Sequence, residues 1–228
     1  MADNPVLLIT GASTGIGAAT ARHAVQGGYR VALASRSEDR LDQLAGELGG
    51  DDVAIAVPTD VTDFAAQERL VATALDAFGR LDAAFANAGF GAKRGFLEET
   101  PEFWREMVLT NVLGAAYTIR ATLPALRDSA GHLILTSSVA GRRVLPGSLY
   151  SATKHAVTAM AEALRQEADG AIRVTCIEPG MVDTPFFSNR PQDALQADDI
   201  ARAVLYALGQ PEHVDVNEVL IRPRSQSG

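Results

Sequence analysis

The chain has 228 residues, 47% of them hydrophobic and 21% charged, with 20 Lys and Arg against 28 Asp and Glu and a formal net charge of −8. Length and composition suit one ordinary-to-large domain with a substantial core, which excludes a small peptide scaffold and bulk disorder. The chain lacks the basic excess on which nucleic-acid binding depends, although a local cradle of backbone N–H groups can bind phosphate in an acidic protein too.

Strand-like apolar runs alternate with longer helical patterns from end to end. Residues 6–10 read as a first strand, and Gly11-Ala12-Ser13-Thr14-Gly15-Ile16-Gly17 follows it and opens a helix. The spacing is G-x-x-x-G-x-G rather than G-x-G-x-x-G. It serves the same need: a tight turn, close backbone approach to a pyrophosphate, and a helix N-terminus aimed at it. A glycine-rich turn with no ligand is the plain alternative. Gly27-Gly28 closes that helix, and residues 30–34 form the second strand. At its end, where an acidic residue would hold the ribose 2′-hydroxyl of NAD, stand Ser35-Arg36. A guanidinium there grips a 2′-phosphate, so NADP(H) is favoured over NAD(H); a solvated loop charge is the alternative.

Ser37 with Glu38 and Asp39 opens the second helix, and residues 53–59 form the third strand, followed by Asp60-Val61. Gly79 ends the third helix, and residues 81–87 run into Asn87-Ala88-Gly89. Thr100-Pro101 supplies an N-cap and first-turn pair for a long helix, to about residue 126, that carries Thr110-Asn111. Residues 132–137 form the fifth strand and lead to Ser137-Ser138-Val139-Ala140-Gly141. Tyr150-Ser151-Ala152-Thr153-Lys154 lies on the next helix, so Tyr150 and Lys154 share a face at i and i+4. Residues 172–178 lead to Pro179-Gly180-Met181-Val182-Asp183-Thr184, Asp198 caps a further helix, and residues 218–222 form the last strand. The near-continuous apolar strands and long spacers predict a doubly wound α/β Rossmann-type sandwich. Its seven-stranded, mostly parallel sheet carries helices on both faces, in one dinucleotide-binding and catalytic domain over residues 1–228.

Cys176 stands alone, and His23, His132, His155 and His213 fall at no metal-ligand spacing, so neither a disulfide nor a metal site is expected. Apolar runs such as Val6-Leu7-Leu8-Ile9 are far shorter than the roughly 18–20 residues that cross a bilayer. Met1-Ala2-Asp3-Asn4-Pro5 carries no basic leader region, and the expectation is a cytoplasmic protein.

Taken in order over nearly the whole chain, these motifs resemble the short-chain dehydrogenase/reductase family. The resemblance implies hydride transfer between a nicotinamide dinucleotide and a carbonyl or alcohol. Tyr150 would be the proton donor in reduction and the base in oxidation. Lys154 would lower the phenol pKa and bind the nicotinamide ribose, and Ser138 would hold the substrate oxygen. Asn111 would shape the active-site helix and anchor a water linking Lys154 to solvent; as a residue it reads equally as a buried polar bridge. The phenol, with a pKa of about 10, must fall by about 2–4 units to act as a base. A cation about 4 Å away gives about 1 kcal/mol in water and about 4 at an effective dielectric of about 20, so Lys154 suffices only in a partly dry site. A solvated Tyr–Lys pair is the alternative.

By the same resemblance Ser13, Thr14, Ile16 and the glycines Gly11, Gly15 and Gly17 meet the phosphates, Asp60 and Val61 the adenine, and Asn87, Ala88 and Gly89 the adenosine ribose side. Pro179, Gly180, Val182 and Thr184 flank the nicotinamide; Val182 reads equally as core. The family commonly sets its serine 13 residues before the tyrosine. Ser137 sits at that spacing, but Ser138 directly precedes Val139-Ala140-Gly141 and is preferred. Phe90, Phe96, Leu145, Met181, Phe186 and Phe187 are candidates for an apolar cleft with Lys93, Arg94, Arg142 and Arg143 at its mouth. The short stretch between Thr184 and Asp198 suggests a shallow pocket or one completed by another subunit. The function expected is oxidation or reduction of a small carbonyl, alcohol or hydroxy acid by a homodimer or homotetramer. The alternatives are a 3-oxoacyl-carrier reductase and a non-catalytic dinucleotide sensor.

Overall fold

In the computed structural model, residues 4–186 and 192–226 are described. Seven strands form one sheet in the order β3-β2-β1-β4-β5-β6-β9: β1 Val6–Thr10, β2 Arg30–Ser35, β3 Ala54–Pro58, β4 Ala83–Ala86, β5 His132–Thr136, β6 Arg173–Pro179 and β9 Glu218–Ile221. Every pairing in it is parallel. The order reverses beside β1, where β2 lies on one side and β4 on the other, and this is the switch point at which doubly wound sheets bind ligands.

The connecting helices are α1 Gly15–Gln26, α2 Glu38–Leu48, α3 Phe64–Phe78, α4 Pro101–Val108, α5 Ala115–Asp128, α6 Leu149–Ala168 and α7 Ala197–Leu208. Alternate strand residues feed two cores. Leu7, Ile9, Val31 and Leu33 meet Ala21, Leu41, Leu44, Ile200 and Val204 of α1, α2 and α7. Val6, Leu8, Leu133 and Leu135 meet Leu70, Ala74, Leu126, Val157 and Leu164 of α3, α5 and α6. Both faces are thus covered, which is why the strands read as unbroken apolar runs.

Three details depart from the sequence reading. The long helix from Pro101 is interrupted at Leu109–Gly114 by a wider π-type turn before α5 resumes. The segment after β6 forms a short parallel ladder, β7 Val182–Asp183 with β8 Leu195–Gln196. Asp198 does not cap α7. Gln196 is the cap, in a reciprocal box with Asp199, while Asp198 pairs with His23 of α1 at 2.8 Å.

Candidate active site

A cavity of about 600 Å³ opens at the carboxyl ends of the strands. The turn after β1 forms one wall. Gly11 and Gly15 have φ of +67° and +55°, the left-handed region that favours glycine. Gly17 has no room for a side chain, because a Cβ there would stand 2.3 Å from the Gly11 carbonyl oxygen. The turn therefore folds back tightly on the start of α1. Thr14 makes no side-chain cap and the first turn of α1 holds no acidic residue, so its leading amides face the cavity with neither a capping oxygen nor a repelling carboxylate. That donor set fits a phosphate.

Ser13, Thr14, Gly15, Ile16, Ser35, Arg36, Asp60, Val61, Asn87, Ala88, Gly89, Pro179, Gly180, Val182 and Thr184 all line the same cavity as Ser138, Tyr150 and Lys154. Gly17 and Asn111 do not; both stand behind the wall. Arg36 is exposed beyond β2, and the Ser35 hydroxyl accepts the Ser37 amide at 3.1 Å, which turns the chain there. Asp60 is occupied by Thr62, accepting its amide and hydroxyl at 2.9 and 2.8 Å. The Asn87 carboxamide donates to the Thr10 carbonyl and accepts from the Thr136 hydroxyl, tying the ends of β1, β4 and β5 together. The Val182 side chain is in the core, which leaves its backbone to the cavity.

Asn111 lies in the π-type turn with both its carboxamide oxygen and its nitrogen hydrogen-bonded. Its Oδ1 accepts the Phe90 amide at 3.0 Å, and its Nδ2 donates to the Phe90 carbonyl at 2.9 Å and to the Thr153 hydroxyl at 3.1 Å. It therefore ties the loop after β4 to α6. Both its side-chain N–H donors are engaged within the protein.

Tyr150 stands in the first turn of α6, whose cap, Ser148, accepts the Ser151 amide. Lys154, one turn on and almost fully buried, donates from Nζ to the Thr136 carbonyl at 2.7 Å and lies 5.7 Å from the Tyr150 ring centre. Burial pushes the phenol up to about 12, with the Ser138 hydrogen bond pulling the other way, and burial brings Lys154 down to about 8. The pair by itself thus runs opposite to the expected lowering of the tyrosine. At neutral pH it holds a protonated phenol beside Ser138.

The two serines both line the cavity but differ in their partners. Ser137 donates to the Lys154 carbonyl at 2.9 Å and meets the Thr158 hydroxyl at 2.7 Å, so it packs the strand end onto α6. Ser138 meets Tyr150, accepts the Ala140 amide at 3.1 Å and donates to the Pro179 carbonyl at 3.3 Å. Gly141 is needed where this turn crosses α6, since a Cβ would fall 2.3 Å from Ser137 Oγ and 2.7 Å from the Lys154 carbonyl.

Phe90, Leu145, Met181 and Phe186 form the apolar end, with Arg94 beside them. Phe186 packs edge-on to Tyr150 at 5.7 Å and sits where a Cβ on Gly91 would be, 2.7 Å from its ring. The other expected cleft residues are elsewhere. Phe96 is exposed against Trp104, and Lys93 and Arg143 are not in the lining. Arg142 is bound to buried Glu178 at 2.6 and 2.8 Å and to Glu218. Phe187 lies outside the described residues. Sequence reasoning missed Gly91 and Gln226, both in the lining. Nothing local marks either one: the first is explained by Phe186 and the second by Gly180, each far off in sequence.

Comparison with known proteins agrees with this architecture. The pattern of the family described as short chain dehydrogenase matches residues 5–195. An uncharacterised oxidoreductase of Staphylococcus haemolyticus is 42% identical over 226 residues, 96% of each chain. An alcohol dehydrogenase from the archaeon Thermococcus sibiricus, solved with 5-hydroxy-NADP, superposes with a TM-score of 0.92 at 33% identity, over 98% of each chain. A 3-ketoacyl-(acyl-carrier-protein) reductase from Brucella melitensis, solved with NADH, gives 0.87 at 29% identity, over 95% of this chain and 96% of that one.

Proposed function

The chain belongs to the short chain dehydrogenase family, and on that premise we propose that it is an NADP(H)-dependent oxidoreductase interconverting a small carbonyl compound and its alcohol or hydroxy acid. The observation that carries the reading is the convergence on one cavity of the uncapped glycine turn, Arg36, and the group of Ser138, Tyr150 and Lys154. The amides of residues 13–17 would hold the pyrophosphate, Arg36 with Ser35 the 2′-phosphate, and the wall of Pro179, Gly180, Val182 and Thr184 the nicotinamide. When bound, the dinucleotide supplies the hydride for the carbonyl carbon and, in its oxidised form, a positive charge over the site.

In reduction Tyr150 is the acid: Ser138 and the phenol together hold the carbonyl oxygen, and the phenolic proton passes to it. The phenolate left behind lies in the first turn of α6, whose dipole favours negative charge. Lys154, with its pKa near 8, is placed to return a proton. In oxidation the roles reverse. The reading includes a single catalytic domain, a cytoplasmic setting and a homodimer or homotetramer built across the α4–α5 and α6 helices, on which Val108 and Leu113 are partly exposed.

A panel of aldehydes, ketones and oxo acids tests it, assayed with NADPH and NADH in parallel. We expect turnover with a preference for NADPH. A preference for NADH contradicts the cofactor assignment. Tight nucleotide binding with no turnover across a broad panel favours a dinucleotide sensor, against which the intact Asn111, Ser138, Tyr150 and Lys154 argue. A second reading, reduction of a 3-oxoacyl group on an acidic carrier, is favoured by the joining of two basic loops. The Gly95 amide donates to the Gly147 carbonyl at 2.7 Å, between Lys93-Arg94 and Arg142-Arg143. Arg142 is already paired, so the exposed charge there is modest. Faster turnover of carrier-bound than of free oxoacyl thioesters would establish that reading.

A further inference from the structure

β6 ends at Pro179, and the next two residues have lost their strand partners. Each of their amides is nevertheless satisfied by the C-terminal segment. Gly180 donates to the Ile221 carbonyl at the end of β9 at 2.7 Å, and Met181 donates to the Gln226 side-chain oxygen at 3.0 Å. Gln226 is itself held by a turn in which its amide bonds the Pro223 carbonyl at 3.0 Å. The interlock is close: a Cβ on Gly180 would stand 2.3 Å from Gln226 Oε1 and 3.0 Å from Pro223 Cδ. Gln226 lines the cavity beside Gly180 and Met181, and it lies beyond the segment that the family pattern matches.

We infer that Gln226 is a positioning residue for the nicotinamide end of the cavity. By accepting the Met181 amide hydrogen, it fixes the Gly180–Met181 peptide that forms that wall. The inference rests on the dinucleotide reading above. A buried or half-buried amide in an irregular segment needs an acceptor, and here a side chain supplies what no strand does. One such bond is a small part of the stability of a fold this size. A wall displaced by a fraction of an ångström next to the reacting atoms costs rate out of proportion to that. The contact should therefore register in the position of the nicotinamide rather than in folding.

The test compares Gln226→Met, which keeps length and loses the acceptor, with Gln226→Glu, which keeps the acceptor and loses the donors. Both are made in the full chain. Melting temperature, exchange of the Met181 amide, and affinity for NADPH and for adenosine 2′,5′-bisphosphate are measured, with kcat and KM for whichever substrate the wild type turns over. For the methionine variant we expect near-native melting, faster Met181 exchange, unchanged affinity for the bisphosphate, and NADPH affinity lower by about fivefold. We also expect kcat lower by about tenfold at nearly constant KM. The glutamate variant should restore both values to within about threefold. Wild-type behaviour of the methionine variant overturns the inference. So does a glutamate variant as impaired as the methionine one with the loss in KM, which would make the carboxamide N–H a substrate contact. Failure of the wild type to bind NADPH or the bisphosphate instead overturns the dinucleotide reading, and this inference with it.

Discussion

Lys154 Nζ and the carbonyl oxygen of Thr136 are 2.7 Å apart, so the cation one helical turn from Tyr150 is anchored to the end of β5 rather than to the phenol. Helix α6 and the central sheet are thereby fixed to each other at the point where Ser138 and Tyr150 meet. The lysine is buried against the Thr136 carbonyl, and desolvation brings it down to about 8.

This has a consequence for stability against pH. A lysine whose folded pKa lies below its unfolded value of about 10.4 binds fewer protons folded than unfolded. Stability therefore rises as pH climbs from about 8 towards 10. Tyr150, raised to about 12, takes stability away only above its unfolded value of about 10. Denaturant unfolding of wild type and Lys154→Met should show the wild type gaining about 2 kcal/mol on the variant between pH 8 and pH 10. Parallel pH profiles would mean that the lysine is solvated.

Arg36 carries the cofactor assignment. Arg36→Leu should weaken NADPH binding by about 10–100-fold, the worth of a charge-assisted contact to a 2′-phosphate, and leave NADH binding nearly unchanged. Ser35→Asp should reverse the preference further by repelling the phosphate and accepting from a 2′-hydroxyl. Fluorescence titration with both nucleotides reads this directly. Equal weakening of NADH and NADPH would remove the assignment.

The ion pair of Arg142 with Glu178 braces the turn that bears Ser138 against the end of β6. Glu178 is 1% exposed, and burial raises its pKa while the guanidinium lowers it. Arg142→Met leaves that carboxylate buried without its cation and should cost about 3 kcal/mol at pH 7. Part of the loss should return as pH falls, because an acid whose folded pKa is raised is stabilised in the fold by protonation. Chemical denaturation at pH 5 and pH 7 measures both. A loss under about 0.5 kcal/mol would place the pair among solvated surface contacts.

The order of elements was legible because parallel strands buried on both faces leave unbroken apolar runs, and every boundary of the seven strands of the main sheet falls within two residues of its expected place, whereas the β7–β8 ladder was not foreseen. Tyr150 and Lys154 were legible through helical spacing, and Arg36 through its place after β2. Other features depend on long-range contacts that no local pattern carries. The π-type turn is associated with the hold of Asn111 on Phe90, 21 residues away, and Arg142 reaches Glu178 and Glu218 on two other strands. Spacing shows the cation beside the tyrosine, whereas the opposing effect of burial on the phenol depends on the packing around it. Spacing alone pointed to Ser137, whereas the local motif pointed to Ser138. Both lie past the end of β5 and line the cavity, and their partners distinguish them: Ser137 is tied to Lys154 and Thr158 of α6, and Ser138 to Pro179 and Ala140.

The central claim is that Tyr150 delivers the proton in a dinucleotide-linked reduction. It is tested most directly by NADPH titration and single-turnover reduction with wild type and Tyr150→Phe. The account predicts matching NADPH affinity in the two proteins and hydride transfer slower by at least about 100-fold in the variant. Equal rates would contradict the role of Tyr150, and loss of NADPH binding by both would contradict the site itself.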